Sequence, residues 1–212
     1  MVNIKDEDED SENQSFTSSI LGLKQAIIQQ LDQGIKLISS ISDPILFIKK
    51  SNLVPKSTIG KHFRHVLDHF YCLFKGIEEK EVIVDYDLRV REKSLELEPN
   101  KMIEAMKELI IKIEHMNLEL ELDIKIKSII EPCKSKFIIS KSSLVRELWF
   151  CTHHAIHHHA LIKVLCFEFN IKTDINFGVA PSTLYKRQLS KDDVNANTNS
   201  ELKYKKIREN KQ

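Results

Sequence analysis

The chain has 212 residues, enough for one sizeable hydrophobic core and too few to favour two full domains. Its 32 basic and 31 acidic side chains leave a formal net charge of +1, so the overall composition lacks the cationic excess that binds phosphate backbones. We therefore expect one domain and no nucleic-acid partner.

The first residues and the cysteines bear on the compartment. The segment KDEDEDSE resembles neither a secretory nor a mitochondrial import signal, and no segment approaches the roughly 20 apolar residues that cross a bilayer. The four cysteines stand singly, without CxxC pairs, as expected of reduced thiols. We expect a cytoplasmic protein with no membrane partner.

Both ends of the chain lack the apolar spacing of helices. Residues 1–14 are acidic, and residues 188–212 are rich in Lys, Asn and Ser, so neither segment can bury enough surface to offset its chain entropy. The sequence therefore predicts two disordered tails around one domain over residues 15–187.

Four long segments between the tails show helical spacing. The first covers about residues 17–42 and stops before Asp43-Pro44, and the second begins near Ser57. The third follows Glu98-Pro99, where proline suits the first helical turn, and the fourth runs from about Ser142 to Phe169. These segments predict an all-α fold.

Two long connections join these helices. Apolar and mostly polar residues alternate from Leu118 to Ile126 and KFIIS follows, which predicts a short β-hairpin or an extended crossover between the third and fourth helices. Such a connection allows these two helices to run in the same direction. The loop after the second helix is also long, and long loops in compact domains are often functional.

Five histidines lie in CTHHAIHHHALIKV on the fourth helix. At about 100° per residue, His158 falls in the apolar stripe and His154 about 50° from its centre. The histidines on lateral or outer sides are His153, His157 and His159. Two inward histidines one turn apart suit a borderline-soft divalent ion such as zinc or nickel. The alternative is a solvated histidine face that binds metal adventitiously.

The second helix carries three more histidines, in KHFRHVLDHF. By helical phase, His62 and His69 lie nearer its apolar stripe than His65 does, but any of the three could supply a third ligand. The alternative is a helix with a polar, partly aromatic flank.

Several of these segments together resemble the DinB-like superfamily, from about residue 17 to 187. The resemblance rests on HVLDH in the second helix, the VDYDLRVRE loop, LWFCTHHAIHHHALI in the fourth helix and FGVAPSTLYKR after it. It implies a four-helix bundle of up-down-down-up topology. The long tails and the additional histidines depart from bacterial members of that superfamily.

The resemblance also implies a set of metal ligands. One histidine of the second helix and an HxxxH pair of the fourth match His65, His154 and His158. The residues that could orient these ligands or replace one of them are His62, Asp68 and His69. For Asp68, an ordinary surface carboxylate is the alternative.

Three neutral histidines leave a position open on a divalent ion, where a bound thiol or water loses its proton more readily. The resemblance implies metal-dependent thiol transfer or isomerisation, with a low-molecular-weight thiol and an electrophilic small molecule as partners. The alternative is a non-catalytic bundle that binds metal and interacts with other proteins.

Tyr86, Arg89 and Arg91 in the VDYDLRVRE loop are candidates for binding an anionic substrate, because arginine matches carboxylates and tyrosine supplies a hydroxyl. Ordinary surface salt bridges are the alternative. FGVAPST at 177–183 could form a lid or dock the chain against the bundle. Bundles of this kind can also form a homodimer through exposed helix faces.

Overall fold

The computed structural model describes residues 4–79, 81–116, 122–131 and 136–188, with side chains from residue 20 onward. The chain divides into two compact units, Met1–Gly178 and Val179–Gln212. The histidines discussed above all belong to the first unit. The predicted domain limits at residues 15 and 187 stay predictions.

The described part of the first unit contains six helices and three strands. In chain order these are α1 (Ile4–Ser40), α2 (Ile45–Ile48), α3 (Ile59–Glu78), β1 (Ile83–Asp85), α4 (Lys93–Leu97), α5 (Pro99–His115), β2 (Asp123–Glu131), β3 (Lys136–Ser143) and α6 (Leu144–Glu168). In the second unit, residues 181–188 form α7. The long helices pack as pairs, with α3 against α6, α1 against α5 and α6, and α3 against α5.

The three strands form one mixed sheet, so the prediction of an all-α four-helix bundle of up-down-down-up topology is wrong. The central strand β2 pairs antiparallel with β3, Asp123 lying opposite Ser143, and parallel with β1, Val84 lying opposite Ile126. The alternation indicated β2, but β1 has three residues and pairs with a strand far along the chain. No local pattern therefore indicated it. Part of that alternation, residues 117–121, lies outside the described residues.

Helix α1 begins earlier than the apolar spacing predicts. Its backbone is helical from Ile4, so it includes most of the acidic segment that was predicted as a disordered tail. Residues 189–212 lie beyond the described residues, and the C-terminal tail stays a prediction.

Hydroxyl caps fix the starts of the two histidine-bearing helices. Thr58 accepts a hydrogen bond from the Lys61 amide at 3.0 Å in α3, and Ser143 accepts one from the Arg146 amide at 3.3 Å in α6. Such caps satisfy amides that have no partner inside the helix. The caps therefore define where each helix begins, and the histidines lie at fixed distances along the helix from that start.

The core lies between the long helices and the inner face of the sheet, where Ile124 and Ile126 of β2 join it. The predicted stripe of α6 is buried throughout, at Leu144, Leu148, Cys151, Ala155, Ile162, Leu165 and Phe169. This burial places the inward histidines of α6 at the contact with α3. Among the described helices, none combines the length and the apolar character needed to cross a bilayer.

Candidate metal centre

His65 of α3 forms a compact group with His154 and His158 of α6. One nitrogen from each ring lies within 4.8 Å of the others. The ring centroid of His65 is 4.9 Å from that of His154 and 4.5 Å from that of His158. The HxxxH spacing places His154 and His158 one turn apart on one face of α6. Three imidazoles this close together could hold a metal ion.

Burial keeps the three rings uncharged. Loss of solvation, together with the neighbouring histidines, lowers the pKa of His65 to about 3, that of His154 to about 4 and that of His158 to about 2. At neutral pH each ring therefore has one nitrogen without a proton. That is the form of imidazole that binds metal ions.

The Nε2 atom of His154 gives independent support for a bound ion. It is buried, and no described residue forms a hydrogen bond with it. A buried polar atom without a partner costs about 1–3 kcal/mol, so native proteins seldom leave one unsatisfied. Coordination of a divalent ion would satisfy it. The residues present therefore fit such an ion.

His62 extends this group toward the start of α3. Its Nδ1 lies 2.8 Å from Nδ1 of His158, and its Nε2 lies 2.6 Å from Oγ of Ser57. The side chain is 7% exposed, and burial lowers its pKa to about 4. Both nitrogens of His62 are thus occupied by protein partners, so it contacts a candidate ligand instead of adding a fourth.

His69 lies on the opposite side of the group. Its ring centroid is 3.9 Å from that of His154, and its Nδ1 donates to the backbone oxygen of His65 at 2.9 Å. Burial lowers its pKa, so the neutral ring has an unprotonated Nε2. His62 and His69 are both buried, whereas His65 is partly exposed. The phase argument for α3 is therefore confirmed, although it did not favour the histidine that lies within the triad.

Arg89 reaches the triad from the loop between β1 and α4. Its Nη1 lies 2.6 Å from Nδ1 of His65. A guanidinium only donates hydrogen bonds, so Nδ1 is the acceptor and the proton of the neutral His65 ring is on Nε2. An ion can bind His65 only after Arg89 leaves Nδ1 or after the ring changes tautomer. Arg89 therefore competes with a metal for this ring.

Asp68 and Arg91 hold the same loop against α3. The Asp68 carboxylate accepts a hydrogen bond from the Arg91 backbone, and its Oδ2 lies 4.0 Å from Nε of Arg64. Burial raises the pKa of this carboxyl, and the nearby arginines oppose that shift. Arg91 itself is exposed and has a φ of 56°. These contacts give Asp68 a role in positioning the loop that carries Arg89.

Tyr86 forms an aromatic wall beside the histidines. Its ring stacks on His69 with centroids 5.3 Å apart, and its hydroxyl donates to Oε2 of Glu147 at 2.8 Å. Glu147 is fully buried and also accepts hydrogen bonds from Ser142 and Arg146. Sequence reasoning missed Glu147, whose signal was an acidic residue inside the apolar stripe of α6.

The other histidines of α6 lie outside the triad. His153 and His157 are exposed, as their phase predicted. His159, which was predicted to be lateral, is only 1% exposed. Its ring stacks on Phe177 with centroids 4.7 Å apart, because the segment after α6 covers this flank of the helix. Helical phase within α6 contained no information about that later segment.

Gly178 allows the covering segment to approach α6 closely. Its φ is 69°, and a Cβ there would lie 2.6 Å from the backbone nitrogen of Ala160. Phe177 is 2% exposed. The first two residues of FGVAPST therefore dock against α6, and the residues from Val179 onward belong to the second unit.

Comparison with known proteins adds one relative. No family model matches the chain. FK506-binding protein 5 of Rhizopus delemar is 33% identical over 176 residues, which cover 80% of this chain and 39% of that protein. The chain thus spans well under half of this relative's length, and the resemblance to the DinB-like superfamily stays a prediction.

Proposed function

We propose that the chain is a DinB-like protein that binds a divalent ion, zinc or nickel, through His65, His154 and His158. The observation that carries the proposal is the group of three neutral imidazoles with nitrogens within 4.8 Å of one another. The buried, unpaired Nε2 of His154 supports it. Imidazole nitrogen suits both of the ions named.

The reaction that we propose is metal-dependent transfer of a low-molecular-weight thiol to an electrophilic small molecule. A divalent ion with three protein ligands keeps a position open and lowers the pKa of a thiol bound there. His69 offers an unprotonated Nε2 beside His154 as a proton acceptor. Arg89, once it leaves His65, can hold a carboxylate of either reactant.

A second candidate is a non-catalytic metal-binding module that associates with other proteins or with a second copy of itself. Its support is the β2–β3 hairpin, where five apolar side chains are each between 48% and 53% exposed. They are Ile129, Ile130, Phe137, Ile138 and Ile139. Exposed apolar side chains in such number can mark an interaction site. This candidate predicts metal-dependent melting without turnover.

A cytoplasmic location is part of the proposal. Cys72, Cys151 and Cys166 are free, buried thiols, which is the usual state in a reducing compartment. The name of the Rhizopus relative refers to FK506 binding in that protein. Its 33% identity does not bear on the histidine group, so the proposal rests on the geometry.

Cobalt substitution separates the two candidates. We would load the metal-free protein with cobalt(II), add glutathione, and then add chlorodinitrobenzene as the electrophile. A thiolate-to-cobalt charge-transfer absorption and saturable product formation, both lost in His158→Ala and kept in His153→Ala, would support the transferase. Cobalt binding without the absorption band and without product would support the second candidate. Failure of the wild type to bind cobalt would contradict both.

A further inference from the structure

We propose that Ser57 and His62 hold His158 in the tautomer with its proton on Nδ1, so that Nε2 is available to the metal as a lone pair. The inference rests on the proposed metal site. It adds two positioning residues that are not ligands themselves.

Ser57, His62 and His158 form a series of hydrogen bonds in which the protons could be donated in either of two directions. The Nδ1 atoms of His158 and His62 are 2.8 Å apart, so one of the two must carry a proton. If His158 donates, His62 accepts on Nδ1 and its own proton is on Nε2, which donates to Ser57 at 2.6 Å. If Ser57 donates instead, His62 carries its proton on Nδ1 and that of His158 is forced onto Nε2.

The proposed metal site favours the first direction. Nδ1 of His158 contacts Nδ1 of His62 at 2.8 Å, so Nε2 is the nitrogen of His158 that remains for an ion. A neutral imidazole binds an ion through its unprotonated nitrogen, and its proton is then on the other nitrogen. His158 therefore carries its proton on Nδ1.

Hydrogen bonds hold Ser57, the first residue of this hydrogen-bonded series, in place. The Ser57 backbone oxygen accepts a hydrogen bond from the Ser51 amide at 2.9 Å. The Ser51 hydroxyl and the Asn52 amide both donate to the carboxylate of Glu168. Glu168 is the last residue of α6, the helix that carries His158. Ser57 is thus tied to the same helix as the ring that it orients through His62.

This arrangement separates two roles among the buried histidines. His62 is as buried as His158, at 7% and 8% exposed, yet both of its nitrogens are committed to protein partners. Metal-binding histidines commonly donate their second ring N–H to an acceptor that fixes the tautomer. Here a neutral histidine backed by a serine hydroxyl serves as that acceptor.

The test reads the proton positions directly in the metal-free protein. Nitrogen-15 NMR of the imidazole rings distinguishes an Nδ1–H from an Nε2–H tautomer. We expect His158 to be in the Nδ1–H form in the wild type and to shift toward Nε2–H in His62→Leu. His62→Asn should restore the wild-type form, because an amide oxygen can accept from Nδ1. Ser57→Ala should weaken the preference, and His153→Ala should leave it unchanged.

Zinc affinity is the second readout. Loss of a residue that orients a ligand typically weakens metal binding by about 10- to 100-fold, so we expect that range for His62→Leu and recovery in His62→Asn. Thermal melting of each metal-free variant checks that it is folded. If His62→Leu does not fold, the same measurements are made on Ser57→Ala.

The two readouts separate this inference from the proposed function. An Nε2–H tautomer of His158 in the wild type, or an unchanged tautomer in both Ser57→Ala and His62→Leu, would overturn the inference even if zinc binds. The expected tautomers in a wild type that binds no zinc would support the assigned proton positions and reject the metal site. Unchanged zinc affinity in a folded His62→Leu would overturn the role of His62 in metal binding.

Discussion

Neighbouring residues determine which nitrogen each buried histidine can offer. Nδ1 of His158 contacts Nδ1 of His62, with His158 as the proposed donor, His69 donates to the backbone oxygen of His65, and His65 accepts from Arg89. The two helices therefore supply rings that are uncharged but not equally ready to bind an ion. His154 has a free Nε2, whereas His65 is blocked by a guanidinium.

We expect Arg89→Gln to bind zinc more tightly than the wild type. The change removes a positive charge that lies 2.6 Å from His65 Nδ1 and that must move before this ring can coordinate through that atom. Relief of charge repulsion near a protein surface is worth on the order of 1 kcal/mol, or about 5-fold in affinity. Competition with a chromophoric chelator measures the change, and Arg91→Gln is the matched control. Equal or weaker binding in Arg89→Gln would contradict a competing role for Arg89.

We expect His159→Phe to keep its metal and to gain about 1 kcal/mol in the free energy of unfolding. His159 is fully buried, its Nδ1 has no partner among the described residues, and its ring already stacks on Phe177. Phenylalanine retains the stacking and removes the unpaired nitrogen. Urea denaturation and metal analysis measure the two effects. Loss of zinc from this variant would place His159 in the site.

At the scale of elements, local signals explain the helices better than the connections. Pro99 marked the start of α5, and the apolar spacing marked α3 and α6. No comparable pattern marked α2, α4 or β1, which have three to five residues each. Such short elements form because longer neighbours position them. The same holds for the segment after α6, whose close approach depends on the absence of a Cβ at Gly178.

Gly178→Ala tests that approach. A left-handed φ and a Cβ 2.6 Å from the Ala160 nitrogen should together cost about 1–3 kcal/mol of the free energy of unfolding. Gly22→Ala in α1 is the matched control, because a Cβ there meets nothing within 4 Å and should stabilise the helix by about 0.5–1 kcal/mol. Urea midpoints of both variants give the comparison. Equal stability of Gly178→Ala and the wild type would mean that the segment is not docked.

At the scale of the whole molecule, the buried histidines make folding depend on pH. Burial lowers the pKa of five histidines from 6.5 to between about 2 and 4. They are His62, His65, His154, His158 and His159. Above pH 6.5, the pKa of histidine in the unfolded chain, these rings are largely unprotonated in both the folded and the unfolded state. The protein then has its full stability. As the pH falls below it, the unfolded chain takes up protons that the native state excludes, so stability decreases.

We therefore expect the metal-free protein to melt at a lower temperature at about pH 5 than at about pH 7.5. Melting in the presence of a chelator, followed by circular dichroism, measures the shift. His159→Phe should show a smaller shift, because the unfolded variant takes up one proton fewer. A melting temperature that is the same at both pH values would contradict burial of neutral rings.

The sequence allowed much of the site to be predicted, but less of the fold around it. The spacing of His154 and His158 is a local property of one helix, so their inward phase could be read from the apolar stripe. The partner on α3 depends on how two helices meet. Phase favoured His62 and His69, and only the resemblance indicated His65. Arg89 was predicted for an anionic substrate, but its contact with His65 depends on a loop whose path no periodic pattern specifies.

The metal content of the untagged protein tests the central claim most directly. Wild type, His158→Ala and His153→Ala would be dialysed side by side, and their bound metals measured by mass spectrometry. The three-histidine site predicts about one divalent ion per chain in the wild type and in His153→Ala, and none in His158→Ala. A wild type without metal, or equal metal in all three proteins, would contradict it.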